Sequence, residues 1–135
     1  MSESLMKDNI LSYFVVASNK HDFNLDISLL VNGALVSGTL ISAQDYFQTL
    51  SKSFEDGNDI SKTVGEQLAK TSESLASQDN PDQPEYIHLK NSQIYFGGNK
   101  PTPSKGDILW RGKLSEVDSF FLGKITESKN TSSGK

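Results

Sequence analysis

The chain has 135 residues and no cysteine, which bounds it to one domain and excludes disulfides, thiolate metal sites and cysteine nucleophiles. Its apolar runs are too short to span a bilayer, and its N-terminus lacks the basic start and apolar core of a signal peptide, so a soluble cytoplasmic protein is expected. Residues 42–85 hold 3 basic and 9 acidic groups, whereas residues 86–135 hold 8 basic and 4 acidic groups. This asymmetry indicates either a solvated acidic helix face beside a basic sheet, or opposite patches that attract neighbouring copies.

The first predicted element is an amphipathic helix from about Asp8 to Asn19. Asp8 is a suitable N-cap, and the helical spacing of the apolar residues predicts one buried stripe. Its members are Ile10 or Leu11, Phe14, Val15 and Ala17.

The strongest local signal is Asn32-Gly33, which suits the positive φ angles of a two-residue type I′ hairpin turn. If the turn forms, each residue before it pairs with one after it, and the two positions always sum to 65. One face is then apolar at nearly every site and the other mostly polar, a pattern that a one-residue slip would scramble. Leu30 and Leu35 pair on the polar face beside the turn, where they are either covered by the helices that follow or form a small exposed patch.

Two helices are predicted after the hairpin. Ser42 begins a capping-box-like motif, and apolar residues follow at helical spacing until Gly57. A second helix starts near Asn58 or Asp59, with a narrow apolar stripe that predicts weak packing. Residues 77–84 then have the composition of a flexible linker.

The remaining elements are strands. Apolar residues fall on odd positions at Ile87 and Leu89 but on even positions at Ile94 and Phe96, which indicates either a two-residue turn at Asn91 or a β-bulge in one long strand. A strand around residues 108–114, a turn at 115–118 and a strand at 120–125 follow. The predicted core includes Leu29, Val36, Leu40, Leu89, Ile94 and Trp110.

This order of elements predicts a single α+β domain over residues 1–126, with a helical insertion at about 42–77 and a disordered tail at 127–135. The short antiparallel strands, with Gly38 in the middle of one, favour a small SH3-like or Sm-like barrel or strongly bent sheet. An open antiparallel sheet is the alternative.

No residue pattern predicts catalysis, a cofactor site or a metal site. His21 and His88 have no spacing that would join them on one metal, and His88 is expected to be an exposed strand residue. The glycines lack the helix that follows a phosphate-binding loop, and the carboxylates lack calcium-loop spacing. The chain is net acidic with a single arginine, Arg111, so an Sm-like nucleic-acid-binding role is a less favoured alternative.

Long segments of the chain resemble the GvpU family of gas-vesicle accessory proteins of bacilli. They are LSYFVVASNKHDF (11–23), LDISLLVNGALVSGTLISAQDYF (25–47), IHLKNSQIYF (87–96) and PTPSKGDILWRGKLSEVDSFFLGKI (101–125). The resemblance implies a non-enzymatic protein at the gas-vesicle surface, linked to vesicle clustering and without catalytic residues to carry over. Its expected partners are the vesicle shell protein, possibly other gas-vesicle proteins, and further copies of itself, but no nucleic acid or membrane. An assembly chaperone for shell proteins is the second interpretation.

Candidate contact residues follow from charge and exposure. For self-association we consider an acidic group and a basic group, and for the shell contact the apolar pair Leu30 and Leu35. The acidic group is Glu55, Asp56, Asp59 and Glu66, and the basic group is Lys90, Arg111, Lys113 and Lys124.

Overall fold

The computed structural model describes residues 9–76, 84–96, 101 and 108–125. Within them the chain forms three helices and one five-stranded antiparallel sheet. The elements, in chain order, are α1 (Asn9–His21), β1 (Leu25–Val31), β2 (Ala34–Ile41), α2 (Ala43–Lys52), α3 (Asp59–Ala76), β3 (Tyr86–Tyr95), β4 (Ile108–Lys113), a 3₁₀ turn (Leu114–Glu116) and β5 (Val117–Leu122).

The β1–β2 hairpin has the predicted register. Asn32 and Gly33 adopt φ angles of 50° and 85°, as a type I′ turn requires. All seven residue pairs sum to 65, from Val31 with Ala34 at the turn to Leu25 with Leu40 at the open end. One face of the hairpin therefore carries the apolar residues that enter the core.

The strand order in the sheet is β4-β3-β2-β1-β5, so the two strands joined by the 3₁₀ turn lie at opposite edges. Four steps of about 4.8 Å would put these edges roughly 19 Å apart in a flat sheet, whereas a three-residue 3₁₀ turn rises only about 6 Å. The sheet must therefore bend strongly. Among the described strands β4 and β5 do not pair with each other, so the sheet is open and is not a closed barrel.

The core lies on the inner face of the bent sheet, where α1 covers it. Leu11 and Val15 of α1 are buried there, and the ring of Phe14 meets that of Phe120 edge to face at 6.1 Å. Ile10 is exposed, so Leu11 is the residue that begins the buried stripe. The predicted core residues all belong to this cluster, fully buried at Leu29, Val36, Leu40 and Leu89 and partly buried at Ile94 and Trp110.

Strand β3 is continuous and contains a β-bulge rather than a turn. Its pairing with β2 shifts register between Ser37 and Thr39, and Asn91 has a φ angle of 52°. Gly38 lies opposite this bulge. A Cβ atom at position 38 would stand 2.9 Å from both the Lys90 carbonyl oxygen and the Ser92 Oγ.

Gly38→Ala should therefore lower the free energy of unfolding by about 1–3 kcal/mol, because the added methyl group overpacks the contact between β2 and the bulge. Chemical denaturation measures this change. Gly38→Ala combined with Ser92→Ala should recover only part of it, since the Lys90 carbonyl cannot move away without breaking the strand. Unchanged stability in the single variant would contradict the close approach.

The predicted helical insertion forms as a helical hairpin. Ser42 caps α2, its Oγ accepting from the Asp45 N–H at 3.0 Å, and Asn58 caps α3 in the same way through the Ser61 N–H at 2.9 Å. Helix α2 ends at Lys52, five residues before the predicted end at Gly57, and the intervening residues form turns. Helix α3 approaches α2 closely at Gly65, where a Cβ would meet the Ser51 carbonyl oxygen at 3.1 Å, whereas Ile60 and Val64 of its predicted apolar stripe are exposed.

Strand β5 begins and ends three residues earlier than predicted. At Gly123, where φ is 110°, the chain leaves the sheet. The Asp8 cap, the linker at 77–83 and the tail at 127–135 lie outside the described residues. Of the helices described, none is both long enough and apolar enough to cross a membrane.

Candidate functional site

The outer face of the sheet, opposite α1, has two halves with different side chains. Its β3–β4 half is contacted by α2, and its β1–β2 half is crossed by residues 123–125. The two halves differ in chemistry, with aromatic and cationic groups on one and serine and leucine side chains on the other.

His88 is the centre of the β3–β4 half. It faces outward, as the alternation of β3 predicted, but it is only 3% exposed because Tyr46 and Phe47 of α2 cover it. Their ring centroids lie 4.7 Å and 5.9 Å from the imidazole centroid. The prediction of an exposed strand histidine was therefore wrong, because a helix more than forty residues earlier in the chain covers this position.

Arg111 closes this cluster from the neighbouring strand. It stands opposite His88 in the β3–β4 ladder, and its Nε–H donates to His88 Nε2 at 3.1 Å. Its guanidinium carbon lies 3.8 Å from the Tyr86 ring centroid and 5.4 Å from that of Phe47, within the range of cation–π attraction. Arg111 thus joins the helical hairpin to the sheet, in addition to its predicted place among the basic contact residues.

Burial lowers the pKa of His88 from 6.5 to about 3, and the positive charge of Arg111 adds to the shift. The imidazole is therefore neutral near pH 7 and accepts the Arg111 hydrogen bond as a neutral base. A group with so low a pKa is a poor proton acceptor for catalysis near neutral pH. We assign it a structural role at the contact between helix and sheet.

Residues 123–125 form a short strap over the β1–β2 half. The Ser28 hydroxyl donates to the Gly123 carbonyl at 2.8 Å, and the Ile125 N–H donates to Ser37 Oγ at the same distance. The Tyr95 hydroxyl donates to the Ile125 carbonyl at 3.3 Å. Sequence analysis missed this strap, although two serines facing each other on the polar side of the hairpin were its visible signal.

Leu30 and Leu35 pair beside the hairpin turn on this same face, as predicted. Leu30 is 38% exposed and Leu35 is half-buried. Helix α2 packs around His88 on β3 and leaves Leu30 partly open to solvent. Together with Phe121, which is 48% exposed on the same face of β5, the two leucines form an apolar patch.

The charged candidates fall into two groups. The acidic residues are exposed around the α2–α3 connection and along α3, at Glu55, Asp56, Asp59 and Glu66. Lys90, Arg111 and Lys113 share the outer face of β3 and β4, whereas Lys124 lies apart, in the strap. The structure therefore places the four acidic residues on the helical hairpin and three of the four basic residues on the outer face of the sheet.

One comparison decides the family. A family model described as "Gas vesicle protein GvpU-like" matches residues 8–125, which is most of the chain. The chain belongs to the GvpU-like family. Neither the curated proteins nor the solved structures gave a match.

Membership of the GvpU-like family associates the chain with gas vesicles, as the sequence resemblance implied. The described part of this GvpU-like chain contains no cluster of three His, Asp or Glu side chains able to hold a metal ion. Its buried histidine is committed to Arg111. Its described residues offer binding surface: an apolar patch and a basic group on the outer face of the sheet, and an acidic group on the helical hairpin.

Proposed function

We propose that this GvpU-like chain is a non-enzymatic accessory protein that binds the gas-vesicle surface in the cytoplasm and promotes vesicle clustering. The observation that carries the proposal is the family match over residues 8–125. The vesicle shell repeats one subunit many times, so weak contacts by many copies add up to firm attachment through effective concentration.

The apolar patch of Leu30, Leu35 and Phe121 supports a shell contact. Solvent-exposed apolar side chains that lie side by side on one face are typical of a surface that a partner covers. The acidic and basic groups support salt-sensitive contacts between copies on different vesicles, because attraction between exposed charges is screened by ions.

Flotation tests the shell contact. Purified protein is mixed with finished, stripped vesicles and centrifuged gently, and the floating layer is assayed for protein. Wild-type protein should float with the vesicles, Leu30→Ser should lower the bound fraction several-fold, and Ile60→Ser should bind normally. Ile60 is the matched control because it is an apolar residue of α3 with 74% exposure. Protein left below the float would overturn direct binding and favour a chaperone that acts on free shell subunits.

Imaging of the same float tests the clustering step. Clusters should disperse as salt rises, and neutralising the acidic group (Glu55→Gln, Asp56→Asn, Asp59→Asn, Glu66→Gln) should reduce clustering at low salt. Glu73→Gln, at another exposed acidic position of α3, is the matched control. Clustering that is unchanged from low to high salt would contradict the charge-driven version of the proposal.

A further inference from the structure

The two edge strands of the sheet are unpaired on their outer sides among the residues described. Strand β4 pairs only with β3, and β5 pairs only with β1. An unpaired edge presents a row of N–H and C=O groups on which another strand can form a ladder. Each molecule thus carries two such edges, joined by the 3₁₀ turn.

The faces of the two edges determine how they can meet. Trp110 of β4 and Phe120 of β5 both pack against the inner core, whereas Phe121 faces outward beside Ser28. An antiparallel junction that continues the sheet must keep inner residues opposite inner residues. Placing Trp110 opposite Phe120 satisfies this condition for the four pairs from Ile108 with Leu122 to Arg111 with Ser119, which end where β5 bulges beside Leu30 and Val31.

This register places apolar side chains opposite each other at three successive positions. Phe121 and Leu122 are 48% and 54% exposed in the isolated chain, although they belong to a regular strand. Pairing with β4 of a second copy would cover both of them. The three pairs are Ile108 with Leu122, Leu109 with Phe121, and Trp110 with Phe120.

Charge selects the unlike edges as partners. Strand β4 carries Arg111 and Lys113 and no acidic residue, whereas Glu116 and Asp118 lie at the start of β5, which has no basic residue. Two β4 edges would repel each other, as would two β5 edges. In the register above Arg111 lies opposite Ser119, the residue next to Asp118 in the other copy.

We infer that copies of this chain associate head to tail, with the β4 edge of one molecule pairing antiparallel with the β5 edge of the next. Such a contact uses two different surfaces and therefore continues into a ring or a filament. It names a copy-to-copy contact for the proposed function, but it is measured on the protein alone. Phe121 belongs to both surfaces, so the shell contact is tested at Leu30 by flotation, and the copy-to-copy contact is tested by ultracentrifugation of the protein without vesicles.

Blocking one edge at a time tests the inference. Lysine on an edge strand opposes pairing, so Leu109→Lys blocks the β4 edge and Phe121→Lys blocks the β5 edge. In analytical ultracentrifugation at high protein concentration, the wild type should form species larger than dimers and each variant alone should be a monomer. An equimolar mixture should form a 1:1 dimer, because each variant retains the edge that the other lacks. Ile60→Lys, an exposed apolar position on α3, should assemble like the wild type.

Other outcomes overturn it. Dimers of Leu109→Lys alone would show that two β5 edges pair, dimers of Phe121→Lys alone would show that two β4 edges pair, and monomeric wild type would exclude the contact. Hydrogen exchange of the wild type gives a second test that does not depend on how well the variants fold. Peptides covering 108–113 and 117–122 should both gain protection as the protein is concentrated, and protection confined elsewhere contradicts the assignment.

Discussion

Leu29→Ala should lower the free energy of unfolding by about 2–5 kcal/mol, because the truncated side chain leaves a cavity at the centre of the core. Leu29 is fully buried between α1 and the sheet, in contact with residues from several elements. Urea denaturation followed by circular dichroism measures the loss. A domain of this size has a total stability of only about 5–15 kcal/mol, so the variant should be close to unfolding at moderate temperature.

The neighbouring residue is the control. Leu30→Ala removes the same atoms from the opposite face of the same strand, where the side chain is 38% exposed, and should cost roughly 1 kcal/mol or less. The difference between the stability losses of the two variants shows which face of β1 is buried. Equal losses, or a larger loss at Leu30, would show that the hairpin register is displaced by one residue.

Acidification should destabilise the protein through His88. Its pKa is lowered to about 3 in the folded chain, so between pH 6.5 and 3 the unfolded chain binds a proton that the folded chain excludes. The contribution of His88 is therefore fully present above pH 6.5 and is lost as the pH falls towards 3. The loss should be roughly 1 kcal/mol per pH unit between pH 6 and pH 4, measured as the free energy of unfolding in urea.

His88→Gln separates this effect from the titration of carboxylates. The variant should be less stable than the wild type at pH 7, since it loses ring contacts with Tyr46 and Phe47. The difference between the two free energies of unfolding should narrow as the pH falls to 4. His21→Gln, at the other histidine, which is exposed at the end of α1, is the matched control. A stability difference that stays constant from pH 7 to pH 4 would show that His88 binds its proton at the same pH in the folded and unfolded chains.

The hairpin was predictable because its determinants are local. Asn32-Gly33 selects the turn, and the turn with the alternation of apolar residues sets every pair from Leu25 to Leu40. The helix starts at Ser42 and near Asn58 were predictable for the same reason. In each case the deciding contact is made within a few residues along the chain.

The surroundings of His88 were not predictable because they depend on which part of the sheet α2 covers. Nothing in the sequence separation of Tyr46 and His88 predicts that the two side chains meet. The bulge at Asn91 was ambiguous for a different reason, since a bulge and a two-residue turn change the apolar parity of the strand in the same way. The contact between Ser37 and residues 123–125 was not predictable, because it depends on the chain leaving the sheet at Gly123. That exit follows from the pairing of β5 with β1.

That pairing also has a consequence for synthesis of the protein. The bond between Ser28 and Gly123 joins residues 95 apart, and β1 gains its second neighbour only when the last strand of the chain is available. At about 5–20 residues per second, the ribosome completes β5 roughly 5–20 s after β1. Through that interval β1, a strand rich in leucine, has one unpaired edge. A nascent chain is therefore most prone to associate with other chains before β5 has been made.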